Sequence, residues 1–406
     1  MWKMMEAMYV MIVSKVQRDF KSDIVQSVTL FLEIRTGGRR SNRAIDMMRI
    51  FILLTTLLVL MSCNSEPAPV ASFDQITYFD SFRNVESLTE ENFIHSVPPA
   101  SIDFRIIDTL CIFSTNDSEN GYFKICRLSD FSIIDEVLKR GNGPNELLWY
   151  QYFNEITLKH EEDSLIACLR NNKRQMSRWN ITETLMSGDA DLIPFTGSFK
   201  GTMTLICIND SLTFATRLRD NDTRIEREVY NRNSVERPAH LSELSEPKVM
   251  KSDGRSFNAL SMIYSYDNEH GKIVEAGSSQ NIINIYSIDG TFRRSICIGS
   301  LKDYDVNDIK SWPMAYEHLD LYHDFIAALY YEDTTYNHSM KGSILPSVRI
   351  FSWEGMPVLE LQLDRHATNF EFDFTNRKLY TLNSEDETFC QYDISELFHR
   401  YSNIFK

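Results

Sequence analysis

The chain has 406 residues, with 42 Lys and Arg against 57 Asp and Glu and a formal net charge of −15. A surface this acidic is repelled by nucleic acid and by anionic lipid headgroups, which excludes direct DNA or RNA binding. The length is ample for a large core and would ordinarily divide into two domains, unless a repeat holds it in one body.

Residues 1–47 contain several methionines and no strand or turn pattern. They read as an upstream extension absent from the mature protein, with Met47 or Met48 as the true start. Residues 48–62 have the layout of an export signal. Met48-Arg49 gives a short positive start, and Ile50 to Leu60 is an apolar run broken only by Thr55 and Thr56. Spanning a bilayer takes about 20 apolar residues; this run suits a signal h-region instead. Leu60-Met61-Ser62-Cys63 then resembles a lipobox, in which cleavage before the cysteine follows attachment of diacylglycerol to its thiol. Cys63 is the expected lipidation site and residues 63–72 a lipidated tether, polar and rich in proline. Asn64 is not the aspartate that retains some lipoproteins in the inner membrane. The expected location is therefore the cell envelope, anchored by lipid and favouring the outer membrane. From Cys63 onward, 33 basic residues face 52 acidic ones.

Residues 73–406 form the folded part. Phe73 to Phe79 alternates apolar and polar residues, as a strand does, but has no partner nearby. After residue 98 one phrase repeats: an alternating strand, a turn, a second strand opening on Leu or Ile, a third strand, then a fourth. The second strands align on Leu110, Leu165, Leu212, Ile273, Ile326 and Leu379, separated by 55, 47, 61, 53 and 53 residues. The fourth unit reads FNALSMIYSYD, KIVEAG, NIINIYSI and, past Asp289-Gly290, TFRRSICI. Alternation with period two, bounded by Gly and Asp turns, is strand chemistry. Six units of four short strands predict an all-β, six-bladed β-propeller. The sixth unit lacks an outer strand, because SELFHRYSNIFK does not resemble one. Residues 73–79 are therefore expected to complete the last blade and close the ring.

Six cysteines follow Cys63, at 111, 126, 168, 207, 297 and 390, with no CxxC spacing that would signal zinc or a thioredoxin-type site. Cys111 and Cys126 flank a turn symmetrically. They could bond across a hairpin in an oxidising compartment, or serve as small apolar strand residues.

The lipobox, the segment Arg140-Gly141-Asn142-Gly143-Pro144-Asn145-Glu146 and the stretch AYEHLDLYHDFIAALYYED at 315–333 make the chain similar to the TolB-like six-bladed propeller lipoproteins, exported bacterial proteins. The resemblance covers roughly residues 73–400. It implies a fold and a location, and no particular activity.

If the first strand of each unit is innermost, inner strands begin and second strands end on one face, the mouth. Five residues past each anchor stand Thr115, Arg170, Arg217, Ser278, Tyr331 and Ser384, all polar. The starts of inner strands add Trp149, Tyr150, Gln151, Lys200, Asn258, Tyr316 and His366. Aromatic planes beside Arg, Lys and Asn suit glycans, peptides or anions. The candidate ligand set is Asn142, Glu146, Trp149, Tyr150, Arg170, Arg217, Tyr316 and His366, for an unidentified glycan, peptide or protein. Gly141-x-Gly143-Pro144 is a turn and not a phosphate loop, since an alternating strand follows it rather than a helix. Glu146 either aims into the mouth or accepts N–H bonds of its own loop.

No GxSxG, HExxH or paired-cysteine motif occurs. No catalytic residue is assigned and no cofactor is called for. The alternative is a hydrolase or lyase assisted by calcium, held in the channel by Asp103, Glu155, Asp320 and Glu371. Replacing Cys63 by Ala should leave the protein soluble or unprocessed. Palmitate labelling that persists in Cys63→Ala would remove the anchor.

Overall fold

Strands dominate the computed structural model, which describes residues 70–405 apart from 95–96, 118, 220–223, 233, 247–259, 303, 306–307, 335–336 and 338–343. Residues 1–47, the expected export signal at 48–62, Cys63 with most of the expected tether, and Asn258 lie outside the described residues. Three short strands come first: β1 (Ile76–Phe79), β2 (Val85–Ser87) and β3 (Asn92–Phe93). Blade one is β4 (Ser101–Ile107), β5 (Leu110–Thr115), β6 (Phe123–Arg127) and β7 (Ile133–Val137). Blade two is β8 (Thr157–Glu161), β9 (Ser164–Arg170) and β10 (Met176–Asn180), then helix α1 (Ile181–Ser187) and β11 (Leu192–Pro194). Blade three is β12 (Thr202–Cys207), β13 (Leu212–Arg219), β14 (Arg224–Asn231) and β15 (Ser234–Glu236), followed by the single-turn helix α2 (Ser242–Ser245).

Blade four is β16 (Met262–Asp267), β17 (Lys272–Gly277), β18 (Ile282–Ser287) and β19 (Arg293–Ile298). Blade five is β20 (Pro313–Leu321), β21 (Ile326–Thr334), β22 (Ser347–Phe351) and β23 (Pro357–Gln362). Blade six has β24 (Asn369–Asp373), β25 (Lys378–Asn383) and β26 (Thr388–Asp393), then helix α3 (Ser395–Arg400). Six sheets result, each built from consecutive antiparallel strands. Every Leu or Ile anchor falls on the first or second residue of a second strand.

These second strands are buried on both faces because a blade has two neighbours. In β21, Ala327, Leu329 and Tyr331 pack against Phe370, Phe372 and Leu379 of blade six. Alternate residues Ile326, Ala328 and Tyr330 pack against Val274, Ala276 and Ile283 of blade four. Period-two alternation thus sends successive side chains into different interfaces. The ring closes between blades six and one, where Phe389 meets Phe104 and Phe113 edge-on at 5.0 and 5.6 Å.

Closure differs from the expectation in one respect. Residues 76–79 do not complete the last blade. They pair in parallel with β19 (Ile76 with Ser295, Phe79 with Ile298) as a fifth strand of blade four. β2 then adds in parallel to β23 of blade five, and only β3 reaches blade six, antiparallel to β26 (Phe93 with Cys390). Buried groups explain the placement. The Asn284 side chain donates to the Ala71 carbonyl at 2.9 Å, and Phe73 N–H donates to Ser295 Oγ at 2.8 Å. The Phe73 ring meets Tyr286 edge-on at 5.7 Å, filling the seam between blades three and four. The residues after β26 form α3, as the absence of strand pattern suggested. Leu397, Ile404 and Phe405 are buried there against blades five and six.

Cys111 and Cys126 are direct cross-strand partners in β5 and β6, buried as free thiols. Cross-strand pairing satisfies their position without a bond.

Because β1 and β3 serve different blades, truncation separates their roles. A chain begun at Asp80 loses the Phe73 anchor, worth about 3–5 kcal/mol, yet should still melt in one cooperative transition. A chain begun at Pro98 should lose cooperativity. Calorimetry in which the first truncation already abolishes the transition would assign closure to β1.

Candidate functional site

The segment between blades one and two builds the mouth. In the loop from Arg140 to Leu147, backbone bonds run from Gly141 N–H to Leu147 O at 3.0 Å and from Leu147 N–H to Lys139 O at 3.0 Å. Glu146 turns back into this loop and accepts Gly143 N–H at 2.6 Å. A Cβ on Gly141 would collide with that carboxylate, so the glycines make room for it. Asn172 fastens the loop to blade two, donating to Gly141 O and Glu146 O at 2.8 and 2.9 Å. Glu146 is therefore a brace of its own loop, and Asn142 stands exposed at the tip.

Beyond the loop, Trp149 is 39% exposed and Tyr152 is 47% exposed. The Tyr150 ring meets Tyr152 edge-on at 5.6 Å, and the Arg170 guanidinium lies 6.0 Å from the Trp149 ring. What fixes this ridge is buried beneath it. Gln151 donates to Arg170 O at 2.6 Å and accepts Arg170 N–H at 3.2 Å, imitating a strand pairing. Ser114 donates to Gln151 O at 2.5 Å. The next residues, Phe153–Glu155, form a single 3-10 turn that touches the inner strands β4, β12 and β16. Phe153 N–H is held by the buried Asp103 carboxylate at 2.6 Å. This turn caps the axis, and the aromatic ridge stands on the cap.

The remaining expected mouth residues divide. Arg170 donates to Met203 O at 3.1 Å and lies 3.8 Å from Glu155, with part of its surface free. His366 is half-buried, its ring parallel to Tyr331 at 6.3 Å. Arg217 is engaged inside blade three by Glu228 at 3.2 Å and the Tyr230 hydroxyl at 2.6 Å. Against the desolvation of burial, Tyr230, Arg237 and Arg219 hold the Glu228 carboxyl down at about 2. Tyr316 does not reach the mouth at all. It is 2% exposed and packs on Tyr330 at 5.2 Å, because bulges on either side of it turn the strand. Trp149, Tyr150 and Arg170 thus come together, and Tyr152 joins them. The sequence WYQYF showed Tyr152 plainly enough; the inner strand was expected to start near Trp149, whereas β8 begins only at Thr157 and the whole aromatic run precedes it.

Three of the four channel carboxylates converge. Arg105 of β4 reaches Asp320 of β20 at 2.5 Å and Glu371 of β24 at 2.8 Å. His318 meets Asp320 at 2.9 Å, and the Tyr322 hydroxyl donates to Glu371 at 3.1 Å. Asp103 also accepts from Asn369. Burial raises the pKa of Glu371 and of Asp103, whereas Arg105 and His318 outweigh burial at Asp320 and keep it ionised. Glu155 stays apart with Arg170, its carboxyl raised by burial. The donors that calcium would need are taken by an internal guanidinium, an imidazole and N–H groups. Among the described residues no cluster of three or more His, Cys, Asp or Glu is arranged to hold a metal ion. The donor set does not fit calcium.

Glu317, like Tyr152, was not among the expected site residues. Glu317 sits on the β20 bulge at the mouth end, with one carboxylate oxygen sealed from solvent and unpartnered. Burial, then the nearby Glu385, pushes its carboxyl up to about 8. Alternation gave no sign of this, since a bulge is invisible to period counting.

No family model and no curated protein matches the chain. Among solved structures, a member of the DUF4221 family from Bacteroides vulgatus is similar at 12% identity, over 76% of this chain and 94% of that one, with a TM-score of 0.48. The β-propeller domain of Cps50 (Swd1) from Myceliophteria thermophila is 11% identical over 75% and 99%, with a TM-score of 0.37. Hydrazine synthase from Kuenenia stuttgartiensis is 12% identical over 76% and 81%, with a TM-score of 0.39. None of these similarities bears on what the chain binds. The six-bladed architecture rests on its own sheets.

Glu317 makes stability depend on pH. Its carboxyl ionises near 4.5 in an ordinary setting and near 8 when folded, so the folded chain holds the proton between these values and loses stability as pH rises through them. Glu317→Gln should melt like the parent at pH 4 and progressively higher than it up to pH 8. Equal melting temperatures at pH 8 would show the carboxyl to be unstrained.

Proposed function

We propose that the chain is a binding module of the cell envelope, anchored by lipid on Cys63, that takes a glycan, peptide or protein partner on its mouth face. The observation that carries this is the ridge of Trp149, Tyr150 and Tyr152 beside Arg170. Most aromatic rings among the described residues are interior, yet two here are 39% and 47% exposed on one short segment. They stand on a backbone fixed by buried bonds rather than on a mobile loop, so little ordering is needed on binding. Rings and guanidinium together offer stacking and hydrogen bonding to a ligand with flat apolar and polar edges. The resemblance to TolB-like exported propellers and the lipobox support the location. The calcium-assisted hydrolase is less favoured, because Arg105 engages Asp320 and Glu371, N–H groups engage Asp103, and Glu155 stands apart beside Arg170.

Arrays of immobilised glycans and peptides would supply the ligand. The double variant Trp149→Ala, Tyr152→Ala should lose about thirtyfold in affinity, near 2 kcal/mol, and melt within about 0.5 kcal/mol of the parent. Undiminished binding by the double variant would overturn the mouth as the site.

A further inference from the structure

Four guanidiniums meet two carboxylates in blade three, whose β13 ends at Arg219 and whose β14 begins at Arg224, both at the mouth end. Glu228 is buried and accepts from Arg217 Nε at 3.2 Å, from Arg219 Nη2 at 3.1 Å and from Arg237 Nε and Nη2 at 3.0 and 2.6 Å. The Tyr230 hydroxyl also donates to it, at 2.7 Å. So many donors crowd a group with about four acceptor sites. Glu226 takes Arg219 Nε at 3.0 Å and Arg224 Nη2 at 2.8 Å. At the axis the balance runs the other way, since Arg105 alone faces Asp320 and Glu371, and Arg227 is matched by Glu275.

Arg224 has a further contact of its own, so the excess rests with the other three guanidiniums. Nη1 of Arg217 and of Arg219 bonds to no described residue and is not sealed from solvent. The side chains of Arg217, Arg219 and Arg237 are 21%, 37% and 55% exposed, so an incoming group can touch all three. Lys200 is exposed beside them: a Cβ on the next residue, Gly201, would stand 3.3 Å from Arg217 Nη1. Arg217, Arg219, Arg237 and Lys200 thus outnumber Glu226 and Glu228 locally, in a chain whose formal net charge is −15. Guanidiniums held around one carboxylate repel each other, and a second anion with open lone pairs relieves them through paired N–H bonds.

The surroundings narrow the ligand. The cluster lies on the side of blade three that faces blade two, where Tyr230 meets Phe199 edge-on at 4.7 Å and shares a core with Cys168. Arg170 of blade two enters the same interface, donating to the carbonyl of Met203, the residue after Thr202, which is the cross-strand partner of Arg217. The cluster is therefore continuous, through Arg170, with the Trp149 ridge. Both β13 and β14 are paired along both edges, so an acidic peptide finds no strand edge to extend. A sugar acid needs none, because its charge takes the guanidinium forks and its ring takes a flat aromatic face.

We propose that this cluster is a subsite for the carboxylate or sulfate group of an acidic glycan, held by Arg217, Arg219 and Arg237 with Lys200, while the rest of the glycan runs over Arg170 toward Trp149. The subsite rests on the binding reading of the mouth face and narrows its ligand to an acidic glycan.

Titration calorimetry tests it, with trigalacturonate and a sulfated heparin disaccharide as probes. The methyl-esterified trigalacturonate and the desulfated disaccharide are the uncharged counterparts, and pentaglutamate is the peptide control. At least one acidic glycan should bind the parent, about tenfold or more tighter than its uncharged counterpart. Arg237→Gln should weaken that binding about tenfold, and Lys200→Gln about threefold. Lys200 makes no contact with Glu228, so its variant reports on the site even where loss of Arg237 disturbs blade three. Absence of binding by both acidic glycans, equal binding by the uncharged counterparts, tighter binding of pentaglutamate, or parental affinity in both variants would each overturn the subsite. Loss of array binding in the Trp149, Tyr152 double variant with Arg237→Gln and Lys200→Gln unaffected would leave the mouth reading intact and remove only this one.

Discussion

A β-sheet of four short strands with two apolar faces cannot stand alone, and every other feature of this protein follows from that requirement. Each blade must find a neighbour on both sides, which a line of blades never achieves and a ring does. The alternation in β21, three side chains toward blade six and three toward blade four, states the constraint in one strand. The ring then fixes where inner strands begin, and so where a mouth can exist.

Polar groups in the interior obey a second rule, that burial is tolerated when charge is matched. Arg105 draws together carboxylates from two other blades at the axis, and Arg227 joins β14 to Glu275 of the next blade. Replacing such pairs by apolar residues is often neutral for stability, so their value here is in fixing which blades meet. Glu317 and Asp333 depart from the pattern, each with a sealed oxygen that has neither a hydrogen bond nor an ion pair among the described residues, and both lie at the mouth end of blade five.

Much of this was legible in the chain. The six anchors from Leu110 to Leu379 are large apolar residues at a regular interval, and burial on both faces leaves little freedom to place them elsewhere. The aromatic run Trp149–Phe153 and the glycines at 141 and 143 were equally visible. The closing strand was not, because β3 is two residues long and partly exposed, with no alternation to count. Phe73–Phe79 had the stronger pattern, yet its partners were chosen by side chains such as Asn284 and Ser295 more than two hundred residues away. Tyr316 misled for a related reason: bulges reverse the face a residue meets, and they are set by packing on both sides of the strand.

The leading segment has a consequence for how the protein is made. β1, β2 and β3 leave the ribosome first, but their partners Ile298, Gln362 and Cys390 come hundreds of residues later. Until then three short strands wait unpaired, and assembly of the circle is deferred to the end of synthesis. Pairings this distant in sequence are slow to form. An unfinished chain therefore exposes its blade flanks until the last blade has been made.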